Sequence, residues 1–257
     1  MHSAFTIRLV GVSLFMISLW HGALTAFASD HWNLEEQMPT EVEDAYAADY
    51  LIPELQTVFR YEHRRHGKDQ FILVPRLAYG FARNWHARIA APFLMGSADT
   101  TDSGNTELEV FRQFNEESSY LPALALVGKA DLPTGRNSQG VDTTLKFIAT
   151  KALGQNYLLH RVHLNFSWDH NAGPQVEERR DRYTAVLGYS HLLPTDTVLV
   201  TDVVREQEME KGKTDSIVEA GIRRMLTPVS VMSVGAGAGI GHDSPAFRIT
   251  VGLQYSF

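Results

Sequence analysis

The stretch FRITVGLQYSF, residues Phe247–Phe257, alternates large apolar residues with small or polar ones. Successive side chains of an extended strand point to opposite faces, so one face of this stretch is apolar and the other is polar. A strand with so large an apolar face is expected to meet an apolar medium rather than water. The apolar face consists of Phe247, Ile249, Val251, Leu253, Tyr255 and Phe257.

The first residues of the chain predict export. Arg8 precedes the apolar run LVGVSLFMISLWHGAL, and Ala26-Phe27-Ala28 supplies the small residues of a cleavage site. These features are typical of a secretory signal peptide, so residues 1–28 are predicted to be removed. An uncleaved membrane anchor is the alternative, but the run is short for a spanning helix, which needs about 20 residues.

Composition excludes several classes of protein. Asp and Glu number 30 against 23 Lys and Arg, and this acidic balance argues against nucleic acid as a partner. The chain has no Cys, which excludes a disulfide framework. No apolar run of about 18 residues follows residue 28, so a helical membrane protein is excluded. A membrane β-barrel is not excluded, because its alternating faces hide the hydrophobic surface from an averaged hydropathy.

Alternation with a period of two continues from residue 55 to the end of the chain. It predicts strands at 55–61, 71–81, 85–93, 106–114, 122–132, 145–149, 162–168, 183–189, 197–207, 218–222, 232–240 and 247–257. The facing of the strands near 106–115 and 197–207 is left undecided by the pattern. The acidic residues 29–53 lack this alternation and are expected to form a periplasmic or plug segment, with one helical turn around residues 41–48.

The links between these strands alternate in length. Links such as HRRHGKD and DHNAGPQVEERRD are long, whereas ARN, GQN and LPTD are short. Outer-membrane barrels have long extracellular loops and short periplasmic turns, whereas a soluble sandwich or lipocalin-like binder has no reason to sort its loops in this way. Residues 54–257 are therefore predicted to form an all-β fold, a single closed antiparallel transmembrane β-barrel of about 12 strands in the bacterial outer membrane.

The polar faces of these strands would line the lumen. They carry too many charged side chains for an apolar core, so the apolar faces must contact lipid and lipopolysaccharide. Basic residues outnumber acidic ones, which favours anionic solutes. The alternative is that these bases pair with carboxylates and fill a narrow barrel. The predicted lumen residues are Arg60, Glu62, Arg76, Arg88, Lys129, Asp131, Lys146, Arg161, His163, Arg182, Glu219, Arg223 and Arg248.

Two stretches resemble a known family. ALALVGKADLPTG, residues 123–135, and HRVHLNFSW, residues 160–168, are similar to motifs of the outer-membrane, transporter-like proteins of the meta-pathway phenol degradation family. MPTEVEDAY also resembles the opening of those proteins, whereas SGNTELEVF, from Ser103, departs from their pattern. The resemblance implies an outer-membrane barrel that takes up aromatic or other hydrophobic compounds. The closing residues Tyr255 and Phe257 resemble the signal read by the outer-membrane assembly machinery.

The function expected is therefore a channel or transporter for small aromatic, hydrophobic or anionic compounds. A lipid-modifying enzyme is an alternative because Ser167, Asp169 and His170 stand close together in FSWDHN, but His170 would point away from the other two. A structural barrel without transport is the other alternative. No cofactor or metal is expected, and the glycines of GAGAGIG are interpreted as positions of close approach or sheet curvature.

Overall fold

The computed structural model describes residues 32–65, 68–96, 102–135, 140–154 and 159–257, so the predicted signal peptide lies outside the described residues. Within these ranges, fourteen β-segments form one antiparallel sheet. They are β1 (Pro53–Arg64), β2 (Lys68–Ala82), β3 (Trp85–Ala90), β4 (Phe93–Gly96), β5 (Asp102–Ser103), β6 (Thr106–Asn115), β7 (Ala123–Leu132), β8 (Asp142–Ala152), β9 (His160–His170), β10 (Asp181–Leu193), β11 (Thr197–Gln207), β12 (Thr214–Thr227), β13 (Ser230–Gly239) and β14 (Phe247–Ser256).

Two of the barrel strands are interrupted. β3 and β4 both pair with β2 and form one strand that breaks at Ala91 and Pro92. β5 pairs with β4 and β6 pairs with β3, so β5 and β6 form the next strand. A bond of 2.8 Å from the Gly104 amide to the Pro92 carbonyl bridges the two pairings. Taken this way, the described residues form twelve barrel strands, as predicted.

The barrel is closed by its first and last strands. β1 pairs with β14 from Glu54 opposite Ser256 to His63 opposite Phe247. The Phe257 amide also donates to the Pro53 carbonyl at 3.0 Å. Closure pairs the backbone groups that an open sheet would leave at its edges, which is the condition for a sheet to lie in lipid.

The apolar faces point outward. Leu187 in the middle of β10 is 57% exposed and Leu253 in β14 is 52% exposed, although both are large apolar residues. Aromatic pairs lie near the strand ends, among them Tyr61 with Phe71 at 4.9 Å and Tyr255 with Phe257 at 5.0 Å. In the part of the chain that the structure describes, no helix is long and apolar enough to cross a bilayer. This exterior suits the hydrocarbon layer and its two interfaces.

The structure decides the facing of the two ambiguous strands. In β6, Glu109 and Phe111 point inward while Leu108 and Val110 are exposed outside. In β11 the even-numbered residues from Val198 to Val204 point inward. Both strands were ambiguous because their inner faces are partly apolar.

The alternation of loop length is weaker than the sequence predicts. The links at 65–67 and 97–101, expected to be long, are shorter than the links at 116–122 and 153–159, expected to be short. Several strands extend beyond their alternating stretches and absorb residues that read as loop. The difference persists at 133–141 and 171–180, which are the longest links.

Residues 32–52 lie inside the barrel, and we call them the inner strap. They contain turns at residues 36–37 and bends at residues 39–41 and 45 but no helix, so the helical turn expected at residues 41–48 is wrong. Strap residues Leu34, Met38 and Ala45 are at most 2% exposed, and each packs in a small apolar cluster with wall residues. The strap thus covers the apolar residues of an inner face that is otherwise mainly polar, among them Phe111 and Val200.

Candidate functional site

The inner strap follows the wall around the lumen. Met38 lies beside Gly252 of β14 and Pro39 beside Gly235 of β13. At the other end, Tyr50 forms a parallel bridge with Gly80 of β2, and the Leu51 amide donates to the Gly80 carbonyl at 2.7 Å. The strap thus passes from β14 past β13 and the lower-numbered strands to β2, which is most of the circumference.

Between these ends, inward-pointing side chains on successive strands accept hydrogen bonds from the strap backbone. The acceptors are mainly carboxylate, amide and hydroxyl oxygens, with one histidine nitrogen. The bonds run from Glu41 N to Glu219 Oε2 (3.0 Å), Val42 N to Asp202 Oδ2 (2.9 Å), Glu43 N to Asn165 Oδ1 (2.8 Å), Ala45 N to Thr150 Oγ1 (3.0 Å), Ala47 N to Gln113 Oε1 (3.3 Å) and Ala48 N to His86 Nδ1 (3.1 Å). These bonds explain the extended strap, since a helix would use the same amide groups internally.

The dimensions of a twelve-stranded barrel fit such a strap. Strands about 4.8 Å apart and tilted by about 40° give a wall of roughly 75 Å circumference and roughly 12 Å radius. Residues 38–50, extended at about 3.3 Å per residue, span roughly 40 Å and trace most of a circle of roughly 8 Å radius. The remaining gap of roughly 4 Å is bridged by one short polar side chain and its hydrogen bond.

Glycines of the wall make room for the strap. A Cβ at Gly188 would lie 2.6 Å from a Val42 methyl carbon, and a Cβ at Gly221 would lie 2.7 Å from Pro39 Cβ. A Cβ at Gly235 would overlap the Pro39 carbonyl oxygen. Gly235 is therefore a position of close approach, which is one of the two roles predicted for the glycines of GAGAGIG.

The strap then folds back across the lumen and meets the basic side of the wall. The Leu34 amide donates to Asp44 Oδ2 at 2.9 Å, and the Asp44 amide donates to the Leu34 carbonyl at 3.1 Å. Glu36 lies 2.7 Å from Lys146 Nζ and 3.3 Å from Arg88 Nη2.

Arg76 anchors the same fold of the strap from β2. It donates to the Glu36 carbonyl at 2.7 Å and to Gln37 Oε1 at 2.6 Å. Residues 35–37 are thus held from three strands, since Arg76, Arg88 and Lys146 belong to β2, β3 and β8.

Basic residues of the adjacent strands β1 and β14 hold Glu41. Arg60 Nη2 lies 2.9 Å from Glu41 Oε2, and Arg248 Nη2 lies 3.5 Å from the same oxygen. Arg248 also forms a close ion pair with Glu219. The strap is therefore clamped at two places by opposite charge.

Burial and charge compete at the strap carboxyls. Burial alone would raise the pKa of Glu41, but Arg60 and Arg248 outweigh it and keep this pKa below its usual range. The same competition leaves the pKa of Glu36 well below its usual range, with Lys146 as the strongest opposing charge. Burial prevails at Asp44 and raises its pKa to about 8 despite Arg161 and two backbone amide donors. Glu36 and Glu41 are thus the strap carboxylates most firmly held as anions.

A cavity of about 250 Å³ lies between the strap and the end of the barrel that carries the longest loops. Glu36, Gln37 and Glu41 of the strap form its floor. Val58, Ile72 and Val74 form an apolar patch on β1 and β2, beside Arg60 and Arg76 of the same strands, and mainly charged and polar residues of β6–β11 form the rest of the wall. The cavity is therefore amphipathic.

The structure places all the predicted lumen residues on the inner face. Ten of them are less than 9% exposed: Arg60, Glu62, Arg76, Arg88, Lys146, Arg161, His163, Glu219, Arg223 and Arg248. Lys129, Asp131 and Arg182 are partly buried and line the cavity. His163 lies away from the cavity, between Thr150 Oγ1 at 3.1 Å and Ser190 Oγ at 2.9 Å.

Ser167, Asp169 and His170, which could suggest an enzyme, do not form a catalytic triad in the structure. Ser167 and Asp169 line the cavity, but Asp169 accepts from Thr144 at 2.6 Å. His170 lies 2.9 Å from Asp181 instead. No contact joins Ser167 to a histidine among the described residues, so the nucleophile and base of a triad are missing there.

Sequence reasoning missed two groups of inward charges. Glu107, Glu109, Asp202 and Glu206 lie on the two strands whose facing was undecided. With them included, the wall no longer has the strong basic excess predicted from the sequence. The strap carboxylates were missed as lumen residues, although the acidic composition of residues 29–53 was a visible signal.

Comparisons with known proteins identify the fold. No family model and no curated protein matches the sequence. An outer membrane channel from Pseudomonas putida F1 is similar, with a TM-score of 0.65 and 13% identity, over 83% of this chain and 98% of that one. The KdgM porin in complex with disordered oligogalacturonate gives 0.58 and 13%, over 79% and 99%. The NanC porin gives 0.57 and 9%, over 80% and 100%.

These similarities define the fold of outer-membrane channels and porins. Together with the closed sheet and its apolar exterior, they make this chain a β-barrel of the bacterial outer membrane.

Proposed function

We propose that this protein is an outer-membrane channel for small solutes, closed by its own inner strap and opened when the strap leaves the wall. One observation carries the proposal: the strap is bound to wall side chains, apart from its junction with β2. Its displacement therefore breaks none of the backbone ladder that holds the barrel together. A segment that can leave without unfolding its host is suited to gating.

The cavity supports an amphipathic solute. Its apolar patch of Val58, Ile72 and Val74 fits an aromatic or aliphatic group, and the charged residues around that patch fit a polar or ionised one. The resemblance of residues 123–135 and 160–168 to the phenol degradation family supports aromatic compounds as the class. The inward charged residues, including Lys129 and Arg182, would then line the solute path.

The outer surface of the barrel would contact two further kinds of partner. The apolar belt would contact lipid and lipopolysaccharide. Tyr255 and Phe257 would be read by the assembly machinery, since they form an edge-to-face aromatic pair at the strand that closes the barrel.

A disulfide between strap and wall tests the gating. A Cβ on Gly252 would lie 3.3 Å from Met38 Cβ, close to the roughly 3.5–4.5 Å of natural disulfides. Because the chain has no Cys, the variant Met38→Cys/Gly252→Cys can form only this bridge. A disulfide worth about 2–4 kcal/mol should lower conductance in planar bilayers at least about tenfold. Reduction should restore the conductance.

The two single-cysteine variants are the matched controls, and neither should respond to reductant. Equal conductance of the oxidised and reduced double variant would contradict gating by the strap. Absence of conductance in both states, with a folded barrel, would favour the structural barrel without transport.

A further inference from the structure

The inner strap is uniformly acidic. Residues 32–52 contain six carboxyl groups and no Lys, Arg or His. In the closed state these carboxyl groups lie in the lumen, so the strap both fills the space and changes its charge. A segment that moves in and out would change the charge of the lumen at each step.

Three cations of the wall have ion pairs or terminal-nitrogen hydrogen bonds with the strap, while Arg60 Nε also donates to Thr250 Oγ1 of the wall at 3.3 Å. In the ranges that the structure describes, the ion pair of Arg60 is to Glu41, and those of Lys146 are to Glu36 and Glu43. The two terminal nitrogens of Arg76 donate to strap oxygens at 2.6 and 2.7 Å. We call Arg60, Arg76 and Lys146 the masked belt.

Among the other strap-facing bases, Arg161 pairs with Asp44 of the strap away from the cavity, whereas Arg88 and Arg248 keep a partner on the wall. Arg88 lies 2.6 Å from Glu109, and Arg248 pairs with Glu219. These four residues balance one another whether the strap is present or absent. Along the cavity, the change of charge on strap release therefore falls on the masked belt.

The belt faces the solute path. Arg60, Arg76 and Lys146 all line the cavity above the strap, on β1, β2 and β8. The side chains that line the cavity closer to the loops include Glu107, Asp131, Lys129 and Arg182, and these are the same in both states. A comparison of the two states thus isolates the belt and the strap.

We propose that the inner strap masks an anion-selective belt, so that the channel admits small anions, such as carboxylated aromatic compounds, only when the strap is displaced. This inference rests on the proposed gating and adds the charge class of the solute. Charged rings at a constriction set ion preference, and guanidinium groups bind carboxylates with two parallel hydrogen bonds. When the strap is seated, Glu41, Glu36 and Glu43 occupy the cations of the belt, so the same anions are excluded from them.

Displacing the strap in the full-length chain tests the proposal. Gly235→Ala places a methyl group against the Pro39 carbonyl, and Gly188→Ala crowds Val42 as a second, independent variant. Ion preference would be measured as reversal potential in a tenfold KCl gradient, and solute preference as flux of benzoate against benzylammonium. We expect both variants to prefer chloride and benzoate, whereas the unchanged chain in its low-conducting state does not.

Removing the belt charges should abolish that preference. Arg60→Gln/Lys146→Gln, added to Gly235→Ala, should lower the ratio of chloride to potassium permeability at least about threefold, since rings of charge dominate selectivity. Arg205→Gln is the matched control, because Arg205 is exposed and bonds Ser216 outside the lumen. It should leave the ratio unchanged.

The outcomes separate the two proposals. If both alanine variants fold but conduct no better than the unchanged chain, gating fails and the inference fails with it. If they conduct well but prefer potassium and benzylammonium, gating stands and the masked belt is refuted. A preference for anions that survives loss of Arg60 and Lys146 would also refute it.

Discussion

The barrel wall and the inner strap are both extended chain, but they are held in different ways. The wall pairs backbone with backbone, as in the ten-residue match of β1 with β14. The strap donates its amides to single wall side chains such as Asp202 and Asn165. The backbone hydrogen bonds of the wall are lost only when the sheet unfolds, whereas the strap can lose its side-chain acceptors one at a time.

This difference assigns separate tasks to the two regions. The lipid around the wall offers no alternative partners for its backbone, so the wall cannot open its ladder. The strap lies in a polar lumen, where water can replace each acceptor. We therefore expect the wall to provide the stability of the barrel and the strap to be the part that moves.

The largest effect should come from a charge on the outer face of the wall. Leu187→Arg places a cation at the middle of β10, and it should reduce the free energy of unfolding by about 2–4 kcal/mol. Urea unfolding in liposomes measures this. Leu226→Arg, near the end of β12, is the matched control and should cost at most about 1 kcal/mol. Equal costs would mean that Leu187 does not face the bilayer centre.

Gly235→Ala should have a smaller effect, and it should destabilise the strap rather than the wall. Alanine suits a strand interior better than glycine, so the wall should not be weakened, while overpacking should destabilise the seated strap by about 1–3 kcal/mol. That corresponds to a population of displaced strap raised about 5–150-fold. Limited proteolysis of residues 32–52 in folded barrels measures it.

Gly128→Ala is the control for that variant, since a Cβ at Gly128 has nothing within 4 Å and points outward. Its strap should be digested at the unchanged rate. If Gly235→Ala also leaves digestion unchanged, the strap does not sit against β13 as described.

The fold could be predicted because lipid imposes its pattern on every strand. The alternation from Leu55 to Phe257 predicted twelve strands, and β14 closes on β1 as expected. The facing of two strands could not be predicted, because Phe111 and Val200 are apolar on the inner face. These two inward residues are apolar because the strap covers them, and no local sequence pattern reveals that contact.

The site could be predicted only in part, for the same physical reason. The inward position of Arg60 or Lys146 follows from strand alternation. Their partners Glu41 and Glu36 come from a segment without periodicity, whose place is fixed by contacts far along the chain. The basic excess deduced from the wall alone therefore left out both these strap carboxylates and the inward acids of β6 and β11.

The smallest effect should come from a single acceptor. Thr150 Oγ1 accepts from the Ala45 amide at 3.0 Å and lies 3.1 Å from His163 Nδ1. Thr150→Val keeps the shape but removes the oxygen, and it should weaken the seated strap by about 1 kcal/mol. The rate of proteolysis should then rise about fivefold. Thr150→Ser keeps both hydrogen bonds and is the control.

This last variant separates two ways of holding the strap. If Thr150→Val behaves like Thr150→Ser, the clamps at Glu36 and Glu41 hold the strap without help from the acceptors between them. If its strap is released as readily as in Gly235→Ala, the acceptors act as one cooperative row. The intermediate value expected here corresponds to a strap whose acceptors contribute separately, which allows it to leave the wall strand by strand.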